Sequence, residues 1–287
     1  MRSGVATMLA SAASNQVGAA VGAHAFPLIG TAGVVAVRQF VAAAVLLPVA
    51  RPDLRRFTWS QWWPTLLLGL VFAVMNLSLY AAIDRIGLGP AVTLEVLGPL
   101  ALGLLGSRTK VDLGCALAAC AGVYVLVLPG PASDYAGVAL GLLAAACWAA
   151  YILLNRLVGT RLPGLQAPAA ATSVSALLYL PVAVTLAAQG RLGGAGLGYA
   201  VGAGLLSSAV PYAADLIALR RVPARFFGLF MSVHPVLAGC AGWVLLGQRL
   251  GPHEWAGMAL VVVANAVAVS VHAAPVAQRE PEHTFRD

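Results

Sequence analysis

Five ionisable side chains fall inside or beside long apolar runs: His24, Arg38, Glu95, Asp215 and His234. Glu95 is the most costly of them. It sits near the middle of 86–107, IGLGPAVTLEVLGPLALGLLGS, a run with no other charge and long enough to cross a bilayer as a helix. On insertion scales an acid at a helix centre costs about 2.5–3.5 kcal/mol, so it needs a partner or a watery cavity. Gly98 and Pro99 follow at i+3 and i+4, and the proline removes one backbone hydrogen bond and distorts the helix. A costly charge beside a broken helix has the chemistry of a site that binds a cation or carries a proton.

The other candidates each keep two readings. Arg38, roughly two turns into its run, is a counter-charge for an anionic or zwitterionic ligand or for Glu95, or an arginine snorkelling to the nearer interface. Asp215 has Pro211 at i−4 and lies about one turn from a span end, where Arg220 and Arg221 can pair with it. His234 precedes Pro235; its imidazole can shuttle protons, or donate to the carbonyl that Pro235 leaves free. His24 reads as interfacial. Asn76 with Tyr80, and Tyr151 with Asn155, have i,i+4 spacing, and Trp148 shares the face of Tyr151. Such a stripe lines a cavity, or bonds neighbouring helices at about 0.6 kcal/mol a contact. Asn15 and Gln16 are weaker candidates of the same kind.

The elements that position these residues are apolar throughout. Hydrophobic residues make up 60% of the 287 and charged residues 9%, with mean hydropathy +0.88. A soluble domain carries about 25% charged residues, so this is a polytopic helical membrane protein. Ten spans are expected, at 5–25, 31–49, 62–82, 88–106, 111–129, 136–157, 169–188, 197–219, 226–247 and 254–272, separated by breakers such as Gly30, Gly87, Pro129-Gly130-Pro131 and Gly251-Pro252. Trp59, Trp62, Trp63 and Trp255 lie at span entrances, as interfacial aromatics do. Arg85, Arg191 and Arg249 fall in loops of one side and Arg38 within a span; the rest of the 17 Lys and Arg lie on the side of both termini. That bias places both termini in the cytoplasm, and it accounts for a net charge of +7 without a nucleic-acid partner.

A break near 130–135 divides the chain into repeats 1–130 and 135–272 of five spans each, followed by a disordered cytoplasmic tail, 273–287. Five is odd, so the second repeat runs inverted to the first. Inverted repeats place substrate near the membrane midplane and alternate access by rocking one bundle against the other. Gly18 and Gly22, Gly137 and Gly141, and Gly198 and Gly202 have the small-xxx-small spacing of close helix contacts. Cys115, Cys120, Cys147 and Cys240 lie in apolar segments with no CxxC pair and read mostly as buried small hydrophobes. The chain carries no GxxxxGK[ST], HExxH or GxSxG pattern. No enzymatic activity, cofactor or metal is therefore expected, and active transport would draw on an ion or solute gradient.

The segments PLIGTAGVVAVRQFVA (27–42), MNLSLY (75–80), LEVLGPLALGLLGSR (94–108), ACWAAYIL (146–153) and VPYAADLIALRRVPARFFGLFMSVHPVLAG (210–239) together resemble the EamA-type transporters of the drug/metabolite transporter superfamily, nearest to their threonine/homoserine-exporting branch. The likeness runs in order over about residues 24–250. It implies an all-α integral membrane fold of ten transmembrane helices, as two inverted five-helix repeats around a central cavity. It also implies proton-coupled export of small amino acids or related polar metabolites across a bacterial inner membrane. On that pattern Arg38, Asn76, Tyr80, Glu95, Trp148 and Tyr151 fall on matching positions, and Asp215 stands where the branch carries a glutamate. His234 departs from it, since the branch has a glutamate before that proline. A multidrug efflux protein and a non-transporting scaffold remain as alternatives. The first would call for more aromatic walls than 7% aromatic residues provide.

Overall fold

The computed structural model describes residues 2–105, 109–131, 133–211 and 232–272, and every regular element in them is helical. In chain order these are α1 (Arg2–Ala23), α2 (Phe26–Ala50), α3 (Trp59–Ile86), α4 (Leu88–Glu95), α5 (Leu97–Leu105), α6 (Lys110–Val127), α7 (Tyr135–Gly159), α8 (Gln166–Leu178), α9 (Leu180–Ala188), α10 (Gly194–Gly204), α11 (His234–Leu246) and α12 (Pro252–His272). A short 3-10 turn, Leu54–Arg56, precedes α3, and a π-helical turn, Leu205–Ala209, continues α10. Among the described residues 6 helices are long and apolar enough to cross a membrane, counting Leu88–Leu105 as one, or up to 7 if α8 and α9 form one bent span.

Local chemistry sets the ends. Thr58 and Gln61 cap α3 reciprocally, the Thr58 N–H donating to Gln61 Oε1 at 2.9 Å, and Thr109 with Asp112 does the same for α6. Asp134 caps α7 by accepting the Gly137 N–H at 2.8 Å. Gly87, at φ 86°, closes α3 and opens α4, a conformation that side chains with a Cβ avoid. Gly30, at φ 74°, kinks α2 where the sequence placed a breaker. The expected span 169–188 is one segment only in part. It bends by 44° at Tyr179, because Pro181 has no N–H for the carbonyl one turn back. The expected tail, 273–287, and the first part of the expected span 226–247 lie outside the described residues.

Packing joins the two ends of the chain throughout. α3 lies along α7, α6 along α12, and α2 between α8 and α10; α1 packs on α10 and α11, and α4 on α7 and α11. Two of the glycine pairs make close approaches. A Cβ on Gly18 would collide with Ser207, one on Gly22 would meet Ala203 at 3.0 Å, and those on Gly137 and Gly141 would press on Ile86 and Leu94 at 2.5 and 2.8 Å. Among the described residues nothing lies within 4 Å of a Cβ on Gly198, so the third pair makes no close approach there. The cysteines also differ from expectation: Cys115 is buried, while Cys120 and Cys240 are exposed on apolar helices. Their apolar character lets them face outward as readily as inward in a fold whose outer surface is itself apolar.

Contacts between connections sort them into two ends. At one end Arg85 pairs with Asp134 at 3.1 Å, Arg191 donates to the Leu28 carbonyl at 2.6 Å, and the Leu88 N–H donates to Gln248 Oε1 at 3.0 Å. At the other, Gln61 donates to the Arg161 carbonyl at 3.0 Å, and Arg161 reaches the Ser60 carbonyl and lies over the Trp63 ring. The core between these ends includes Val34, Val35, Tyr80, Leu88 and Ala91, all 0% exposed.

Candidate functional site

Glu95 is the last residue of α4, and the helix ends there because the residue that would donate to its carbonyl is Pro99. Val96 makes the turn, its N–H still reaching the Val92 carbonyl at 3.1 Å, and the chain resumes as α5. Gly98 lets this broken segment lie directly on α7, since a Cβ there would run into the Ala145 carbonyl oxygen. The Glu95 side chain is 8% exposed, and among the described residues it accepts no hydrogen bond and joins no ion pair. Arg38 acts on it through space, not in contact.

Arg38, half-buried on α2, is held by two other groups. Its guanidinium lies over the Tyr80 ring, 5.2 Å from the centroid, and Nη2 donates to the Ser207 carbonyl at 3.4 Å. Tyr80 is fully buried, edge-on to Phe26 with centroids 5.7 Å apart, and its hydroxyl has no partner among the described residues. Ser207 belongs to the π-helical turn, a wider turn whose carbonyls and side chains are re-aimed relative to an α-helix. Ser14 donates to the Leu206 carbonyl at 2.8 Å, and the Ser207 hydroxyl donates to the Asn15 carbonyl at 3.0 Å. One residue further along α1, Gln16 Nε2 meets His234 Nδ1 at 3.0 Å. A polar seam thus runs through the apolar fold from α11, along α1 and the π turn, to Arg38 and Tyr80.

α4 and α11 cross where a Cβ on Gly89 would stand 3.1 Å from the Gly239 Cα. Leu88 and Gly242 lie together beyond it, so the helices run antiparallel. Glu95 is six residues past the crossing and His234 five before it, which at 1.5 Å per residue puts both roughly 8–9 Å along the same direction. The end of α4 and the start of α11 therefore bring their ionisable residues to similar depth. Pro235 is buried in the first turn of α11, where a proline costs no helical hydrogen bond.

The remaining candidates separate from this group. Asn76 is 8% exposed, and its amide donates to the Phe72 carbonyl of its own helix at 2.7 Å, so it does not pair with Tyr80. Tyr151 packs on Phe72, centroids 5.3 Å apart, at the α3–α7 interface; Trp148 and Asn155 are half-buried on the same helix. Pro211, also half-buried, follows the π turn. Asp215 lies outside the described residues. Ser207 was not singled out from the sequence, although Ser207-Ser208 interrupts an apolar run as Ser14-Asn15-Gln16 does.

Helices of membrane-crossing length, a span broken at a buried acid and a polar seam beside it define a multi-pass membrane protein of the transporter class. A model of the EamA-like transporter family matches residues 135–270. The chain is 34% identical over 264 residues to the threonine/homoserine exporter RhtA of Escherichia coli strain K12, covering 91% of this chain and 89% of that one. It is 33% identical over 281 residues to the protein of the same name in Salmonella typhimurium strain LT2, covering 97% and 93%. A protein of known crystal structure, 18% identical, shares the fold with a TM-score of 0.60 over 93% of this chain and 97% of that one. The chain belongs to the EamA-like transporter family.

Proposed function

We propose that the protein is a proton-coupled secondary exporter of small amino acids of the threonine/homoserine kind, in a bacterial inner membrane with both termini in the cytoplasm. The observation that carries this reading is Glu95, a buried carboxylate without a contact partner among the described residues, at the break of a span, in a chain similar over nearly its whole length to threonine/homoserine exporters. Glu95 exchanges between a proton and the substrate ammonium group. Arg38, stacked on Tyr80, and the imidazole of His234 hold the substrate's negative charge. Asp215 is a further acid of the same path, while Trp148, Tyr151, Asn155 and Asn76 form the wall where α3 meets α7. At 100 mV each net charge moved across the membrane is worth about 2.3 kcal/mol, so the protonation state of the substrate sets how strongly voltage drives export.

The architecture belonging to this reading is ten spans in two inverted repeats, 1–130 and 135–272. Helix contacts related by a shift of five spans support it. α3 with α7 is matched by α10 with α1, α4 with α7 by α11 with α1, and α3 with α8 by α10 with α2, while α6–α12, α2–α8 and α4–α11 are their own mates. The family match begins at 135, where the second repeat is placed. The loops grouped at the Arg161 end include the basic 51–56 segment, as a cytoplasmic face requires.

The test is uptake into inside-out vesicles with a panel of amino acids, with and without an imposed pH gradient. Saturable, gradient-dependent uptake of threonine or homoserine is expected. Uptake of neither, or uptake indifferent to the gradient, overturns the substrate or the coupling respectively.

A further inference from the structure

Gln16 is 3% exposed in the middle of α1, and its side-chain amide nitrogen lies 3.0 Å from His234 Nδ1, 218 positions away in the chain. An amide nitrogen only donates, so Nδ1 must accept, and the single proton of a neutral imidazole must then sit on Nε2. Nε2 itself has no partner among the described residues. The ring is placed independently of this bond. His234 is the first residue of α11 and Pro235 is buried behind it, while Ser232, two residues earlier, is gripped by Asn265 of α12 at 2.9 Å. Two buried amides from two different helices thus fix the start of α11, one through the Ser232 hydroxyl and one through the ring. On the other side of Gln16, the α1 backbone at Asn15 is bonded to Ser207, whose carbonyl receives Arg38.

We infer that Gln16 is a positioning residue that holds His234 in the tautomer with its proton on Nε2, making the start of α11 a neutral hydrogen-bond donor for an acceptor oxygen of the transported solute. The inference rests on the transporter reading for the identity of the acceptor, but not for the tautomer. Nε2–H then acts with the Arg38 guanidinium on carboxylate or hydroxyl oxygens, while Glu95 at similar depth serves the ammonium group. A proton shuttle needs the ring to take up a second proton at Nδ1, which the Gln16 amide nitrogen opposes until the amide turns over.

The direct test is nitrogen NMR of the purified full chain in lipid nanodiscs with labelled histidine. The protein has 5 His, and His234→Gln identifies the signal. Wild type is expected to show an unprotonated Nδ1 and a protonated Nε2; a protonated Nδ1 overturns the proposal. Gln16→Met, close in volume and unable to donate, is expected to mix the tautomers, and Gln16→Glu to move the proton to Nδ1. An unchanged His234 signal in both variants overturns the role of Gln16. If Gln16→Met does not fold, the wild-type spectrum alone still decides the tautomer. In vesicles, Gln16→Met is expected to raise the KM for threonine about tenfold with kcat nearly unchanged; equal loss of kcat and unchanged KM overturns the donor role. Absence of any transport by wild type counts against the exporter reading and leaves the spectroscopic result standing.

Discussion

The guanidinium of Arg38 covers the ring of Tyr80, while the hydroxyl of that same ring is buried without a partner among the described residues. The ring face serves the cation and the hydroxyl serves nothing among the described residues. A buried hydroxyl left unbonded costs on the order of 1–3 kcal/mol. Tyr80→Phe keeps the face and removes the orphan group, so its thermal midpoint in detergent should equal or exceed that of wild type. Tyr80→Leu removes the face and should destabilise by about 0.5–2 kcal/mol, the worth of the cation–π contact. A Tyr80→Phe protein less stable than Tyr80→Leu would show that the hydroxyl has a partner.

Glu95→Gln keeps the volume of the side chain and removes its charge. The variant should insert normally and abolish both gradient-dependent uptake and resistance to toxic threonine or homoserine. Wild-type resistance at normal membrane levels would leave Glu95 a structural residue, as a non-transporting scaffold requires.

Pro99→Ala gives the Glu95 carbonyl its missing donor. Removing a proline from a helix relieves up to about 3 kcal/mol, so the variant should melt higher than wild type. It should also transport more slowly, because joining α4 to α5 removes the turn at Val96. Faster or unchanged transport with a raised melting temperature would separate the break from the function.

Two glycines of α5 should respond oppositely to the same change. A methyl at Gly98 meets the Ala145 carbonyl oxygen and the backbone of α7, so Gly98→Ala should cost several kcal/mol, more than a typical overpacking change of about 1–3 kcal/mol, because backbone gives little. Among the described residues nothing lies within 4 Å of where a Gly103 methyl would stand, and Gly103→Ala should be neutral or stabilising by up to about 1 kcal/mol. Thermal unfolding of both in one detergent checks the pair, and similar midpoints would refute the packing.

The carboxyl of Asp134 is held below its ordinary value by the Gly137 N–H it accepts, with a further contribution from Arg85. A group whose folded pKa is depressed adds stability above its unfolded value, here near 3.8, and loses it as pH falls through the lower folded value. Wild-type stability should therefore fall more steeply below about pH 4 than that of Asp134→Asn, which keeps a capping oxygen but no charge. Identical acid limbs in thermal scans from pH 7 to pH 3 would show that Asp134 contributes no such dependence.

How much of this was legible beforehand depended on whether the cause was local. The α4 break was, because Pro99 stands four residues after Glu95 and Gly98 between them; the Gly30 kink and the Gly87 turn were legible for the same reason. The bend at Tyr179 was available in Pro181 but was read as a continuous span. Spacing placed Asn76 and Tyr80 on one face, yet it could not tell that the Asn76 amide would bond its own helix. The Gln16–His234 contact and the re-aimed Ser207 carbonyl depend on where distant segments meet and on an irregular turn, and neither leaves a periodic trace.

The crossing of α4 and α11 has one more consequence. A helix carries about half a negative charge at its C-terminus and half a positive charge at its N-terminus. α4 finishes at Glu95 and α11 starts at His234, and the antiparallel crossing brings those two ends to similar depth. The peptide groups therefore add partial negative charge beside the acid, offset in part by the start of α5 at Leu97, and partial positive charge beside the imidazole, and the direction of that field is fixed. Neutralising either side chain leaves that field in place. A solute with one cationic and one anionic group meets an orienting backbone there before any side chain gains or loses a proton.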